Sequence, residues 1–156
     1  MSTSSDVKEQ TEKIIRQYAD MIYRIAFQNL KNRADAEDVF GEVCVALLSK
    51  DVPEEEPHLK HWIIRVTINK CHNIQKSSWH TKTERIDELK EPVYEENSDI
   101  FEELWQLPEK YRNVIYLYYY EGYTIQEIGQ ILKKSPNTVS SWLTRARKKL
   151  KAILME

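Results

Sequence analysis

GYTIQEIGQILKKSPNTVSSWLTRARKKLK, residues 122–151, is the stretch on which the reading of this chain turns. Its spacing predicts two short helices joined by a tight turn. Thr124 is placed to cap the first helix, and Glu127 three residues on can reach back to the cap, the reciprocal capping-box arrangement. Ile125, Ile128, Ile131 and Leu132 then share one face. Lys133, Lys134 and Ser135 form the turn. Ser135 suits an N-cap, and Pro136 suits the first helical position, where a missing N–H costs nothing. In the second helix Val139, Leu143, Ala146 and Leu150 step by four, three and four, which predicts one buried stripe. Asn137, Thr138, Ser140, Ser141, Thr144, Arg145 and Lys148 occupy the face left to solvent. That is the layout of a helix-turn-helix whose second helix enters the major groove N-terminal end first.

Charge sharpens the expectation. From Lys133 to Lys151 there are seven Lys or Arg and no acid, so short polar side chains at the front would meet base edges and cations behind would meet phosphates. The same spacing would also suit an ordinary helical hairpin with a solvated basic face. The net charge of the whole chain is only −2, which gives no general polyanion-binding signal, so the distribution carries the information. Lys60 to Lys82 holds five basic residues and no acid, whereas Glu84 to Glu103 holds nine acids against two bases. Such blocks suggest two nucleic-acid-facing surfaces separated by an acidic connector.

With three glycines in 156 residues and no sustained alternation, the composition predicts an all-α protein. Working outward from the helix-turn-helix, helices are expected from Pro108 to Glu121, closed by Gly122, and over a short segment from Ser98 or Asp99 to Trp105. These complete a four-helix C-terminal domain over 98–156. Residues 83–97 read as the acidic linker. The N-terminal domain, 1–82, begins with a polar stretch of about six residues. A long helix follows, carrying Val7, Thr11, Ile14, Tyr18, Met21, Ile22, Ile25 and Leu30 inward. A second helix runs from about Asp35 to Ser49, with Ala36, Val39, Phe40, Val43, Leu47 and Leu48 inward, and Gly41 mid-helix asks for a packing or partner reason. After an acidic loop with two prolines, a third helix spans about Leu59 to Lys76. Trp62, Ile63, Val66 and Ile74 are expected inward, and Arg65, Asn69, Lys70, Asn73 and Lys76 on the other face. Basic residues interleaved with aromatics, continuing through Trp79 and His80, suit single-stranded nucleic acid, since rings stack on bases while cations track phosphates. Trp79 would serve equally as a core anchor.

Other chemistries find little support. His58, His61, Cys71 and His72 lack paired-ligand spacing, so no metal is expected. There is no nucleophile elbow, phosphate-cradling glycine loop or HExxH, and the acid clusters read as a helix start and a solvated loop, so neither enzyme activity nor a cofactor is expected. Cys44 and Cys71 read as reduced packing residues. No apolar run approaches a membrane span and no signal-peptide core opens the chain, so a soluble cytoplasmic protein without membrane insertion is expected.

Three segments together carry a family resemblance. DAEDVFGEVCVALL (35–48), HLKHWIIRVTINKCHNIQKS (58–77) and LPEKYRNVIYLYYYEGYTIQEIGQILKKSPNTVSSWLTRARKKL (107–150), in that order, resemble an extracytoplasmic-function sigma factor, the short two-domain class of the sigma-70 family. The resemblance implies an alternative sigma factor that binds core RNA polymerase at its β′ clamp and β flap, directs it to promoter DNA, and is open to control by an anti-sigma factor. It implies polymerase contacts at Asp35, Glu37, Asp38 and Glu42. Recognition and melting of the minus-ten element would fall to Arg65, Asn69, Lys70, Asn73 and Lys76. The minus-thirty-five element would be read through Asn137, Thr138, Ser140, Ser141, Thr144, Arg145 and Lys148. The chain departs from the family's pattern at Gly41 (commonly glutamine), the acidic Glu54 to Glu56, Gly129 (usually alanine), Lys133 (usually glycine) and Trp142 (often basic). The residues also admit a helix-turn-helix regulator acting without polymerase, or a sigma-like polymerase-binding decoy.

Overall fold

A computed structural model describes residues 4–77 and 98–155 of the chain. It is all-helical, with no strand among the described residues, and it divides into two compact units, Met1–Glu91 and Pro92–Glu156. Residues 78–97, which include Trp79, His80 and the expected acidic linker, lie outside the described residues.

The first unit is three helices, each packed on the other two: α1 (Ser4–Leu30), α2 (Arg33–Ala46) and α3 (His58–Ser77). Their shared core holds Ile22, Ile25, Val39, Val43, Ile63 and Ile64, all fully buried, each contributing about 1.5–3 kcal/mol by leaving water. α2 begins two residues earlier than its acids suggest. Lys31 takes a left-handed conformation (φ 58°), and Asn32 behind it is the N-cap. The Asn32 Oδ1 accepts from the N–H groups of Ala34 (2.9 Å) and Asp35 (3.3 Å), satisfying two of the helix's orphan donors. α2 also ends earlier than expected, with its C-cap at Leu47, so Leu48 falls in the following turn and is 59% exposed instead of inward. Val7, in the second turn of α1, is likewise exposed.

The second unit has four helices: α4 (Ser98–Trp105), α5 (Glu109–Ile115), α6 (Ile125–Leu132) and α7 (Pro136–Leu154). α7 packs on α4, α5 and α6 around Val114, Leu117, Ile128, Ile131, Val139 and Leu143. Pro108 ends the α4 connection and caps α5. α5 runs on into one wider π-helical turn, Tyr116–Tyr120, in which the Glu121 N–H donates five residues back to the Tyr116 carbonyl (3.1 Å). Gly122 (φ 77°) then turns the chain into α6. Arg112 lies in the core and donates to the Trp105 carbonyl at the end of α4 (3.4 Å), which joins α4 to α5. Burial pushes the Arg112 guanidinium below its ordinary pKa, and Glu109 nearby pulls it back.

Candidate nucleic-acid interface

The joint between α6 and α7 is built as its sequence predicts. The Thr124 hydroxyl accepts from the Glu127 N–H (3.1 Å) while the Glu127 carboxylate accepts from the Thr124 N–H (3.0 Å), closing the capping box. Ser135 Oγ accepts from the Thr138 N–H (3.2 Å), and Pro136 occupies the first turn of α7. Between them Lys133 adopts φ 56°, ψ 47°, a left-handed cap that glycine would fill at lower cost. Gly129 explains how the turn closes. The Lys134 N–H donates to the Gly129 carbonyl (2.9 Å), and a Cβ on residue 129 would meet the Lys134 carbonyl oxygen at 2.7 Å. The two departures from the family's pattern at this turn are thus adjacent parts of one structure.

α7 buries Val139, Leu143 and Ala146 completely, while Leu150, the expected fourth member of the stripe, is only half-buried near the helix end. Asn137, Ser140, Ser141, Thr144, Arg145 and Lys148 are exposed together on the opposite face. Thr138 is half-buried and its hydroxyl lies 2.9 Å from Ser135 Oγ, so it serves the cap. The Thr144 hydroxyl donates to the Ser140 carbonyl (3.0 Å) on this exposed face. Of the seven cations between Lys133 and Lys151, none meets a carboxylate within salt-bridge distance among the described residues. The result is a rigid helix whose exposed face holds donors, acceptors and uncompensated positive charge, suited to an anionic duplex.

α3 is rotated from the expected orientation. Leu59, Ile63, Ile64, Thr67, Ile68 and Cys71 are its buried residues, whereas Trp62 and Val66 are half-buried and lie outside the core. Trp62, Val66, Asn69 and Asn73 follow one another by four, three and four, so the indole shares a face with both asparagines. Asn69, Asn73 and Lys76 are exposed, and Arg65 and Lys70 half-buried on the flanks. The loop before α3 is less freely acidic than its sequence suggests. The Glu56 carboxylate, though exposed like those of Glu54 and Glu55, accepts from the Tyr18 hydroxyl of α1 and from the Lys60 N–H at the head of α3 (2.9 Å).

On α2, Glu37, Asp38 and Glu42 are exposed. Asp35 is not: it is 8% exposed and its carboxylate accepts from the Asn32 amide (2.9 Å). Asp35, expected with them as a polymerase contact, is thus bonded to the residue that caps the helix. Gly41 is exposed with nothing within 4 Å of where a Cβ would stand, so no packing within this unit accounts for it. Val45 beside it is 69% exposed, a solvent-facing apolar residue that periodicity did not single out.

Sequence reading also missed two pairings in the second unit. The Arg147 Nε–H donates to the Tyr119 hydroxyl (2.6 Å), with its guanidinium carbon 5.4 Å from the Tyr118 ring centre and 5.5 Å from that of Tyr119. Lys110 Nζ lies 5.3 Å from the Tyr111 ring centre and 5.4 Å from that of Trp142. The run of tyrosines at 118–120 was the available signal. Only the wider turn, which points Tyr119 toward α7, gives it meaning.

Comparison with known proteins agrees on both units. Residues 14–81 match the family description Sigma-70 region 2, and residues 99–150 match Sigma-70, region 4. The chain is 31% identical over 153 residues to RNA polymerase sigma factor SigV of Bacillus subtilis, covering 90% of this chain and 92% of that one. It is 26% identical over 156 residues to the ECF RNA polymerase sigma factor SigE of Mycolicibacterium smegmatis, covering 92% of this chain and 61% of that one. Among solved structures, sigma factor RpoE of Bartonella quintana, in complex with the anti-sigma factor NepR, has the same fold. Its TM-score is 0.74 at 18% identity, over 94% of this chain and 98% of that one.

Proposed function

Because this chain belongs to the extracytoplasmic-function sigma factors of the sigma-70 family, which bind core RNA polymerase and direct it to particular promoters, we propose how its residues divide that task. α7 reads the minus-thirty-five element as duplex. Asn137, Ser140, Ser141 and Arg145 face base edges, Lys148 faces phosphate, Thr144 offers a methyl, and Thr138 holds the helix start. α3 captures the minus-ten element, with Asn69 and Asn73 addressing an unpaired base, Arg65, Lys70 and Lys76 its backbone, and Trp62 available to stack. Stacking an extruded base offsets an unpairing cost of a few kcal/mol. Glu37, Asp38 and Glu42 on α2 meet the polymerase β′ clamp, and the second unit meets the β flap. The protein performs no catalysis itself, works in the cytoplasm, and is open to restraint by an anti-sigma factor.

The observation that carries this reading is α7: a capped helix with a sealed apolar side and an exposed polar side whose cations lack acidic partners among the described residues. Run-off transcription with purified core polymerase and a library of candidate promoters tests it. Transcripts that start at discrete sites only when the protein is added are expected. Polymerase binding without new transcripts would make the protein a decoy, and duplex binding without polymerase would make it a free-standing regulator. Asn69→Ala with Lys70→Ala should slow open-complex formation and leave polymerase affinity intact; an equal fall in both would overturn the assignment of α3.

A further inference from the structure

A helix lying in the major groove has a backbone on each side of it. The groove is about 12 Å wide and a helix with its side chains about 10–12 Å across, so residues on the two flanks of α7 would stand against the two phosphate walls. At about 100° per residue, Arg147 and Trp142 lie on opposite flanks, each roughly 110° from the centre of the face formed by Asn137, Ser141 and Lys148. Each flank carries a cation against aromatic rings. Arg147 is held on one side by the Tyr119 hydroxyl at 2.6 Å and by the Tyr118 and Tyr119 rings. Lys110 lies on the other side over Trp142 and Tyr111. Both cations are exposed, and neither pairs with a carboxylate among the described residues.

We infer that Arg147 and Lys110 are phosphate contacts that bracket α7, one for each strand of the minus-thirty-five duplex, with Tyr118, Tyr119 and Trp142 as positioning residues. The inference rests on α7 being the duplex-reading helix. The phenol oxygen of Tyr119 takes one guanidinium N–H and leaves the terminal nitrogens as a fork toward solvent, the geometry that phosphate accepts bidentately. Aromatic faces steady both cations without neutralising them, so their full charge is offered to the backbone. The wider turn at Tyr116–Tyr120 brings Tyr119 to this position, in keeping with the frequent occurrence of such turns at functional sites.

The test uses holoenzyme assembled from core polymerase and the full chain, binding a fluorescent duplex that carries a minus-thirty-five element but no minus-ten element, over a range of salt. Arg147→Ala and Lys110→Ala should each weaken binding by the same factor on matched and mismatched elements. Each should also flatten the plot of log affinity against log salt by about 0.9, and together by about 1.8. Arg147→Lys should restore the slope but not the full affinity, and Tyr119→Phe should weaken binding with the slope kept. Unchanged slopes, or a loss confined to one base pair, would overturn the bracket, and wild-type binding by Tyr119→Phe would overturn the tyrosine's positioning role. Arg145→Ala with Asn137→Ala is the control for α7 itself. If that variant still discriminates matched from mismatched elements, the reading of α7 fails and the bracket with it; if discrimination is lost while the alanine slopes stay at wild type, only the bracket fails.

Discussion

Replacing Gly129 by alanine sets two effects of opposite sign against each other. On helix propensity alone the change should stabilise α6 by about 1 kcal/mol. The new Cβ, however, would stand 2.7 Å from the Lys134 carbonyl oxygen, a backbone atom that cannot swing aside as a side-chain tip could. The turn is held at both ends, by the Lys134 N–H on the Gly129 carbonyl at 2.9 Å and by the Ser135 cap on α7. Overpacking of this kind costs about 1–3 kcal/mol, so the expected net loss is about 1 kcal/mol, or roughly 4–8 °C in the midpoint of so small a unit. The turn lies in the second of two compact units, so the assay is hydrogen exchange read by mass spectrometry on peptides from 98–155. An alanine variant as stable as wild type, or more so, would show that the turn carbonyl yields freely and would refute the argument. Lys133→Gly supplies the second half. It removes the crowding of a left-handed lysine, about 1–2 kcal/mol, and gives the turn freedom to withdraw its carbonyl. The paired variant should therefore recover more than the lysine change contributes alone, whereas strict additivity would show that the two positions do not communicate.

Three further outcomes are expected. Asn32→Ala removes a cap and leaves the buried Asp35 carboxylate without that amide, so thermal unfolding of the first unit should show a loss of about 2–4 kcal/mol. A loss below about 0.5 kcal/mol would place the helix start elsewhere. Trp62→Ala should slow promoter opening strongly while destabilising the first unit less than Ile63→Ala, for which about 2–5 kcal/mol is expected; the reverse order in denaturant would return the indole to the core. Asp38→Lys should lower affinity for core polymerase in a binding titration, whereas Asp35→Asn should lower stability and leave affinity per folded molecule unchanged.

What the sequence made legible was local. Caps, stops and the stripe Val139, Leu143, Ala146 depend on residues within one or two turns, and both helices of the C-terminal joint stand where those signals put them. The orientation of α3 was harder because apolar residues lie on several of its sides. Thr67 helps disguise the buried one, since its hydroxyl donates to the Ile63 carbonyl (2.7 Å) and becomes compatible with a core. Gln28 and Asn29 are polar and lie outside the apolar repeat of α1, yet they are fully or almost fully buried. The Asn29 side-chain amide donates to the Ile25 carbonyl (2.8 Å), and the Asn29 backbone carbonyl accepts from the Gln75 side chain, 46 positions away. Polar residues with distant partners are what a one-dimensional pattern conceals.

The wide turn at the end of α5 has a consequence for chain length itself. Its bond from Glu121 to Tyr116 spans five residues where a regular helix spans four, so the segment holds one residue more than an unbroken helix between the same ends would need. The surplus is absorbed within the turn, and it decides which of the tyrosines there faces which neighbour. Deleting one residue between 116 and 120 would let the helix close regularly between the same ends, and the tyrosines left in the segment would be redistributed about its axis. Arg147 would then face a different neighbour with no change at position 147 or anywhere on α7. Spacing, more than side-chain identity, aims this part of the protein.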